Sequence, residues 1–198
     1  MFGSSVVFEI SLRKTIALVA LACLLAIFNI ALLIQNRTLK HSSTTNRSIV
    51  MAPGKTVSSL SGINSEGQKV TFDYGQERRK TILLIFSPHC GYCTENMPNW
   101  KLLIEKLDPK LYRIVATSIF ADGVKEYAEK YRLNSLPVIA EIDPRNRVEY
   151  EMSVTPETIV ISSEGKVEKI WIGLLQEKEM SEIEDYLQVN LSSTSKAS

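Results

Sequence analysis

Apolar side chains along this chain recur in three different patterns, and each predicts a different kind of element. The first is unbroken. From Thr15 to Ile34 the sequence reads TIALVALACLLAIFNIALLI, without a charge and with Thr15 and Asn29 as its polar side chains. About 20 apolar residues in a helix cross a bilayer core of roughly 30 Å, so the run predicts a membrane-spanning helix. It offers no polar face with which to lie on a soluble domain. The rival is a secretory leader, which has a shorter apolar core and a small-residue cleavage site. This run ends in Ile34-Gln35-Asn36-Arg37 instead, which favours an uncleaved anchor.

The other two patterns lie beyond residue 52. Thr81–Phe86 is a short continuous apolar run, as expected of a strand buried on both faces. Met97, Trp100, Leu103, Ile104 and Leu107 then recur at helical spacing. Tyr112–Ser118 predicts a strand, Val124–Tyr131 a surface helix, and Pro137–Ile142 a short strand followed by a turn at Asp143–Asn146. Val57–Ile63 and Gln68–Phe72 flank Asn64–Gly67, a hairpin pattern, and Glu157–Ser162 and Val167–Ile172 flank Ser163–Lys166 likewise. Met180, Ile183, Tyr186 and Leu187 predict a closing amphipathic helix. Strands that alternate with helices and end in a hairpin predict an α/β fold, a mixed central sheet with helices on both faces. The expected organisation is a cytoplasmic stub at 1–14, an anchor at 15–34 and a polar tether at 35–52. A folded domain follows at 53–190, then a disordered tail at 191–198.

Charge changes this picture little. Lys and Arg number 23 against 22 Asp and Glu in 198 residues, a net charge of +1, so no nucleic-acid partner is expected. Arg13 and Lys14 precede the apolar run while Arg37, Lys40 and Arg47 follow it, so the positive-inside count leaves the orientation open.

The candidate chemistry lies in the cysteines. Cys23, inside the apolar run, reads as a small hydrophobic side chain. Cys90-Gly91-Tyr92-Cys93 follows the Thr81–Phe86 strand and stands where the Trp100 helix begins. Unpaired N–H groups and the macrodipole at a helix N-terminus favour an anion there. Such surroundings bring a thiol pKa from about 8.5 into the range of about 3.5–7.5 and produce a nucleophilic thiolate. A second thiol one turn along can resolve a mixed disulfide. A structural staple over so short a loop would add little stability. A zinc site needs about four ligands, and His41 and His89 are the histidines available. The pair therefore reads as redox-active, with no metal and no dissociable cofactor.

The stretch Phe86-Ser-Pro-His-Cys-Gly-Tyr-Cys-Thr-Glu-Asn-Met-Pro98 resembles the active-site segment of the thioredoxin superfamily, and most closely its membrane-anchored TlpA/ResA-like branch. Val154-Thr155-Pro156-Glu157-Thr158-Ile159-Val160-Ile161 is similar to that branch's second segment, and Gly165-Lys166 and Gly173 follow as its closing hairpin does. The resemblance implies a thioredoxin-like fold and a thiol–disulfide oxidoreductase in which Cys90 attacks and Cys93 resolves. It also implies that Pro98 kinks the helix and that Pro156 is a cis-proline facing the pair. Tyr92, Thr155 and Pro156 would then shape the docking edge for protein thiols and disulfides. It places the domain, as a monomer, on the periplasmic side of a bacterial membrane, served by a membrane electron donor and acting more as reductant than oxidant. A disulfide oxidase or isomerase is the rival within the fold, since Gly-Tyr also separates the cysteines of bacterial isomerases.

The chain departs from the family at three places. His89 replaces tryptophan before the first cysteine and becomes a candidate modulator of the Cys90 thiol. Leu84 replaces a buried aspartate. Asn96 replaces glutamate, leaving Glu95 and Glu141 as weak candidates for the proton acceptor. A peroxiredoxin-like peroxidase would require P-x-x-x-T-x-x-C, which Ser87-Pro88-His89-Cys90 does not supply. A copper chaperone would require a wider cysteine pair and a later histidine.

Overall fold

The computed structural model describes Asn29 and residues 51–191. The Thr15–Ile34 span, apart from a helical Asn29, lies outside the described residues, as do nearly all of the tether and the tail from residue 192 onward. Among the described residues no helix is long and apolar enough to cross a membrane.

Seven strands form one sheet: β1 (Leu60–Asn64), β2 (Lys69–Phe72), β3 (Lys80–Phe86), β4 (Tyr112–Ser118), β5 (Val138–Ile142), β6 (Glu157–Ile161) and β7 (Val167–Ile172). Their spatial order is β2-β1-β5-β4-β3-β6-β7. β3 lies inside the sheet, parallel to β4 and antiparallel to β6, which explains why Thr81–Phe86 carries no polar alternation. β4 and β5 are also parallel, and the remaining pairs are antiparallel.

Helix α1 (Gly91–Lys106) connects β3 to β4, and α2 (Val124–Lys130) leads from β4 toward β5. Both crossovers step in the same direction across the sheet, so right-handedness places both helices on one face. Cys93, Met97, Trp100 and Leu103 of α1 accordingly share a buried cluster with Val124, Tyr127 and Ala128 of α2 and with Ile82, Leu84, Phe86 and Val160 of the sheet. Ile183 and Leu187 of the last helix, α4 (Glu177–Leu187), join them.

The other face carries less helix. Leu83, Ile85, Val115, Ile139, Ile159 and Ile161 are covered there by Met51, Val57, Tyr150 and Met152, which belong to chain segments and not to a long helix. The one helix in those segments is α3 (Pro144–Glu149), at the place where a turn is expected from sequence. Asp143 caps it by accepting from the Arg145 N–H at 2.8 Å, and Pro144 occupies its first position. The buried Asn146 then accepts from the Ser61 N–H at 2.7 Å and donates to the Ser59 carbonyl at 3.0 Å. Six residues cannot form a stable helix alone; these bonds to β1 and the residue before it hold the helix in place.

Candidate functional site

The strand β3 ends at Phe86, and four residues later Cys90 caps α1 with extended backbone. Its sulfur accepts the Cys93 N–H at 3.2 Å, so an orphan donor of the first helical turn points at the thiol. Both thiols are free. Cys90 is partly exposed, whereas Cys93, one turn on and facing the sheet, is fully buried. Gly91 adds no side chain above the pair, and Tyr92 is 64% exposed beside it. Pro98 lies inside α1 on its exposed side.

The second segment meets the first at β6. The Thr155–Pro156 peptide is cis, and the Cys90 thiol donates to the Thr155 carbonyl at 3.6 Å. Pro156 is buried, and its carbonyl accepts the Gly173 N–H at 2.8 Å. The Thr155 side chain also lowers both thiols.

The two thiols diverge for identifiable reasons. Burial pushes the Cys90 thiol up, but hydrogen bonds from the Cys93 side chain and Thr155, then from the Cys93 and Tyr92 backbone, outweigh it. The Cys90 thiol therefore lies below the ordinary cysteine range. Burial pushes Cys93 well above that range, and its hydrogen bond with Cys90 pushes the same way. One thiol is a ready nucleophile and the other a protonated reserve.

Three contacts fix α1 against the rest of the site. Trp100 donates from Nε1 to Thr158 Oγ1 of β6 at 2.9 Å, a fully buried bond. Asn96 accepts the Leu175 N–H through Oδ1 at 3.0 Å, and Asn99 donates to the Leu175 carbonyl at 2.6 Å. Asn96 therefore latches α1 to the segment before α4, a role that spacing along one helix does not reveal. His89 is 62% exposed and lies 3.6 Å from Asp122 Oδ2. An exposed pair of this kind contributes about 0–1 kcal/mol. Gly123, with φ of 73° directly before α2, lies close against Pro88.

The sequence candidates for a proton acceptor are not brought to the pair. Glu95 is exposed on α1, and Glu141 is exposed on β5 opposite Ile63 of β1. A carboxyl that sequence reasoning passed over is buried instead. Glu157 follows Pro156 directly, is 1% exposed, and neither of its oxygens has a hydrogen-bond partner among the described residues. Burial raises it to about 7. Its signal in the sequence is a glutamate heading the otherwise apolar run TIVI. Among the described residues no three His, Cys, Asp or Glu side chains are grouped to hold a metal ion.

Residues 50–187 match the model of the family described as Redoxin. No curated protein sequence matches the chain. Similar solved structures include the thioredoxin domain of a thiol-disulfide oxidoreductase from Bacteroides vulgatus, at 17% identity. That match covers 69% of this chain and 99% of the other, with a TM-score of 0.51. A thiol-disulfide oxidoreductase from Bacteroides fragilis matches at 18% identity, covering 67% of this chain and 99% of the other, with a TM-score of 0.54. A peroxiredoxin-like protein from Aquifex aeolicus matches at 12% identity, 70% and 88% coverage and a TM-score of 0.55. At such identities the likeness speaks for the fold.

Proposed function

The chain belongs to the Redoxin family and has the thioredoxin fold, and from that premise we propose that it is a thiol–disulfide oxidoreductase, anchored by residues 15–34, that reduces disulfides of extracytoplasmic proteins. The observation that carries the chemistry is the asymmetry of the pair: a partly exposed Cys90 with a lowered pKa, capped by the Cys93 N–H, over a buried and protonated Cys93.

The Cys90 thiolate attacks one sulfur of a substrate disulfide. The substrate S–S bond breaks, and its other sulfur leaves with the electron pair and takes a proton. Cys93 then loses its proton and attacks Cys90 Sγ, releasing the second substrate thiol and leaving the Cys90–Cys93 disulfide. The substrate gains two electrons and two protons, which a membrane electron donor must return to the pair. Thr155 and Pro156 form the edge on which the substrate docks, and Tyr92 adds exposed apolar surface beside it.

The anchoring is supported by the apolar Thr15–Ile34 run, and the extracytoplasmic side by the compartments in which disulfide exchange is needed and by the resemblance. The reducing direction is supported by the resemblance to anchored reductases. Glutathione titration of the full chain tests it. A potential nearer to thioredoxin, at about −270 mV, supports a reductase, and a value near −120 mV makes the protein an oxidant. Labelling of intact spheroplasts with an impermeant thiol reagent tests the placement: Cys90 should react, and its protection would put the domain in the cytoplasm.

A further inference from the structure

Glu157 is the first residue of β6, and the strand pairing fixes where it stands. It lies opposite Ile85 of β3 on one side and Ile172 of β7 on the other. Ile85 pairs in turn with Thr117 of β4. Directly paired residues share a face, so Glu157 and Thr117 flank Ile85 on the sheet face away from Cys93. Both side chains are fully buried, and the Glu157 oxygens and the Thr117 hydroxyl have no hydrogen-bond partner among the described residues.

A buried carboxylate without a counter-charge or donors costs many kcal/mol, so the group is uncharged while it stays buried. Burial alone accounts for its raised value of about 7. The neighbouring strands present Leu83, Ile85, Val115, Thr117, Ile170 and Ile172 on this face, none of them titratable. The titratable groups bordering the cluster are otherwise engaged. Tyr150 and Tyr74 share a hydrogen bond of 2.9 Å, and Glu151 pairs with Lys55 at 2.9 Å. Cys90 and Cys93 lie on the opposite face.

Glu157 is also the residue after Pro156 and two after Thr155, whose carbonyl receives the Cys90 thiol. Met152, just before that segment, packs in the same buried cluster as Ile85 and Ile159. Resting on the thiol-exchange reading above, we propose that Glu157 is a positioning residue for that exchange: buried and uncharged, it seats Thr155 and Pro156 against Cys90, and on ionisation it loosens them. The charged form needs water. Glu157 directly follows Pro156, so hydrating its carboxylate displaces the stretch of chain that carries the docking edge.

The test compares the full-length protein in detergent solution with Glu157→Gln, which stays uncharged at every pH. Two substrates are used, a peptide closed by one disulfide, which needs the docking edge, and 5,5′-dithiobis(2-nitrobenzoate), which does not. Each rate is divided by the Cys90 thiolate fraction measured in the same protein. The peptide-to-small-disulfide ratio in the wild type should fall about tenfold between about pH 6 and pH 8, as the uncharged fraction does, and stay flat in Glu157→Gln. The same fall in both proteins overturns the proposal, as does a flat ratio in the wild type. A wild type that reduces neither substrate overturns the exchange reading itself. Should Glu157→Gln not fold, carbon-13 NMR of the wild type decides: the Glu157 carboxyl and the Thr155 and Gly173 amides should titrate with one midpoint. Independent midpoints, or a carboxyl that does not titrate near neutrality, overturn the proposal.

Discussion

Replacing Thr155 by valine removes one hydroxyl at nearly constant shape, and it keeps the backbone carbonyl that receives the Cys90 thiol at 3.6 Å. What is lost is a donor that lowers both sulfurs. A hydrogen bond to a charged acceptor contributes about 1.5–3 kcal/mol when water is excluded. Cys90 is partly exposed, and water takes over part of the donor's work, so about 0.7–1.4 kcal/mol of thiolate stabilisation should be lost. The upper figure is about tenfold in the thiolate-to-thiol ratio. The thiolate belongs to the reduced form, so its loss disfavours that form and lowers the reduction potential, by about 15–30 mV. Ultraviolet titration of the thiolate and a glutathione-buffer titration measure the two effects in one protein. Thr155→Ser, which keeps the hydroxyl, should behave as the wild type. An unchanged thiolate titration in Thr155→Val, or a potential that rises, would refute the assignment of the Thr155 hydroxyl as a donor to the pair.

Cys93→Ser should accumulate mixed disulfides through Cys90 on non-reducing gels, and Cys90→Ser should trap few; the reverse would make Cys93 the nucleophile. Trp100→Phe leaves the buried Thr158 hydroxyl without its 2.9 Å partner and should cost about 1–3 kcal/mol in urea unfolding; a loss below about 0.5 kcal/mol would mean that the bond is dispensable. Glu157 has a carboxyl raised in the folded state, so the stability it contributes is fully present below about pH 4.5 and is lost as pH rises through about 7. Wild type should therefore lose up to about 3 kcal/mol relative to Glu157→Gln over that window, and parallel stability curves would show that Glu157 does not titrate with folding.

Local order is legible in the sequence wherever the physics is local. The strands Tyr112–Ser118 and Val167–Ile172 follow from apolar and β-branched runs, and α1 follows from Met97, Trp100 and Leu103 at helical spacing. Cys90-Gly91-Tyr92-Cys93 stands at a strand-to-helix junction, and that alone places one thiol at a helix N-terminus, because a helix end creates unpaired donors wherever it occurs. Other features depend on residues far apart in the chain. Asn96 latches to Leu175 across 79 positions, and Trp100 to Thr158 across 58. The short helix α3 exists because Asn146 is held by Ser59 and Ser61, and the far face of the sheet is closed by segments distant from one another in the chain. Glu157 makes the difference plainest. In sequence it is one more charged residue at the start of a strand, a position that is usually solvated. Only the packing of β6 between β3 and β7 removes its water, and it is desolvation, a property of the assembled sheet, that sets its charge.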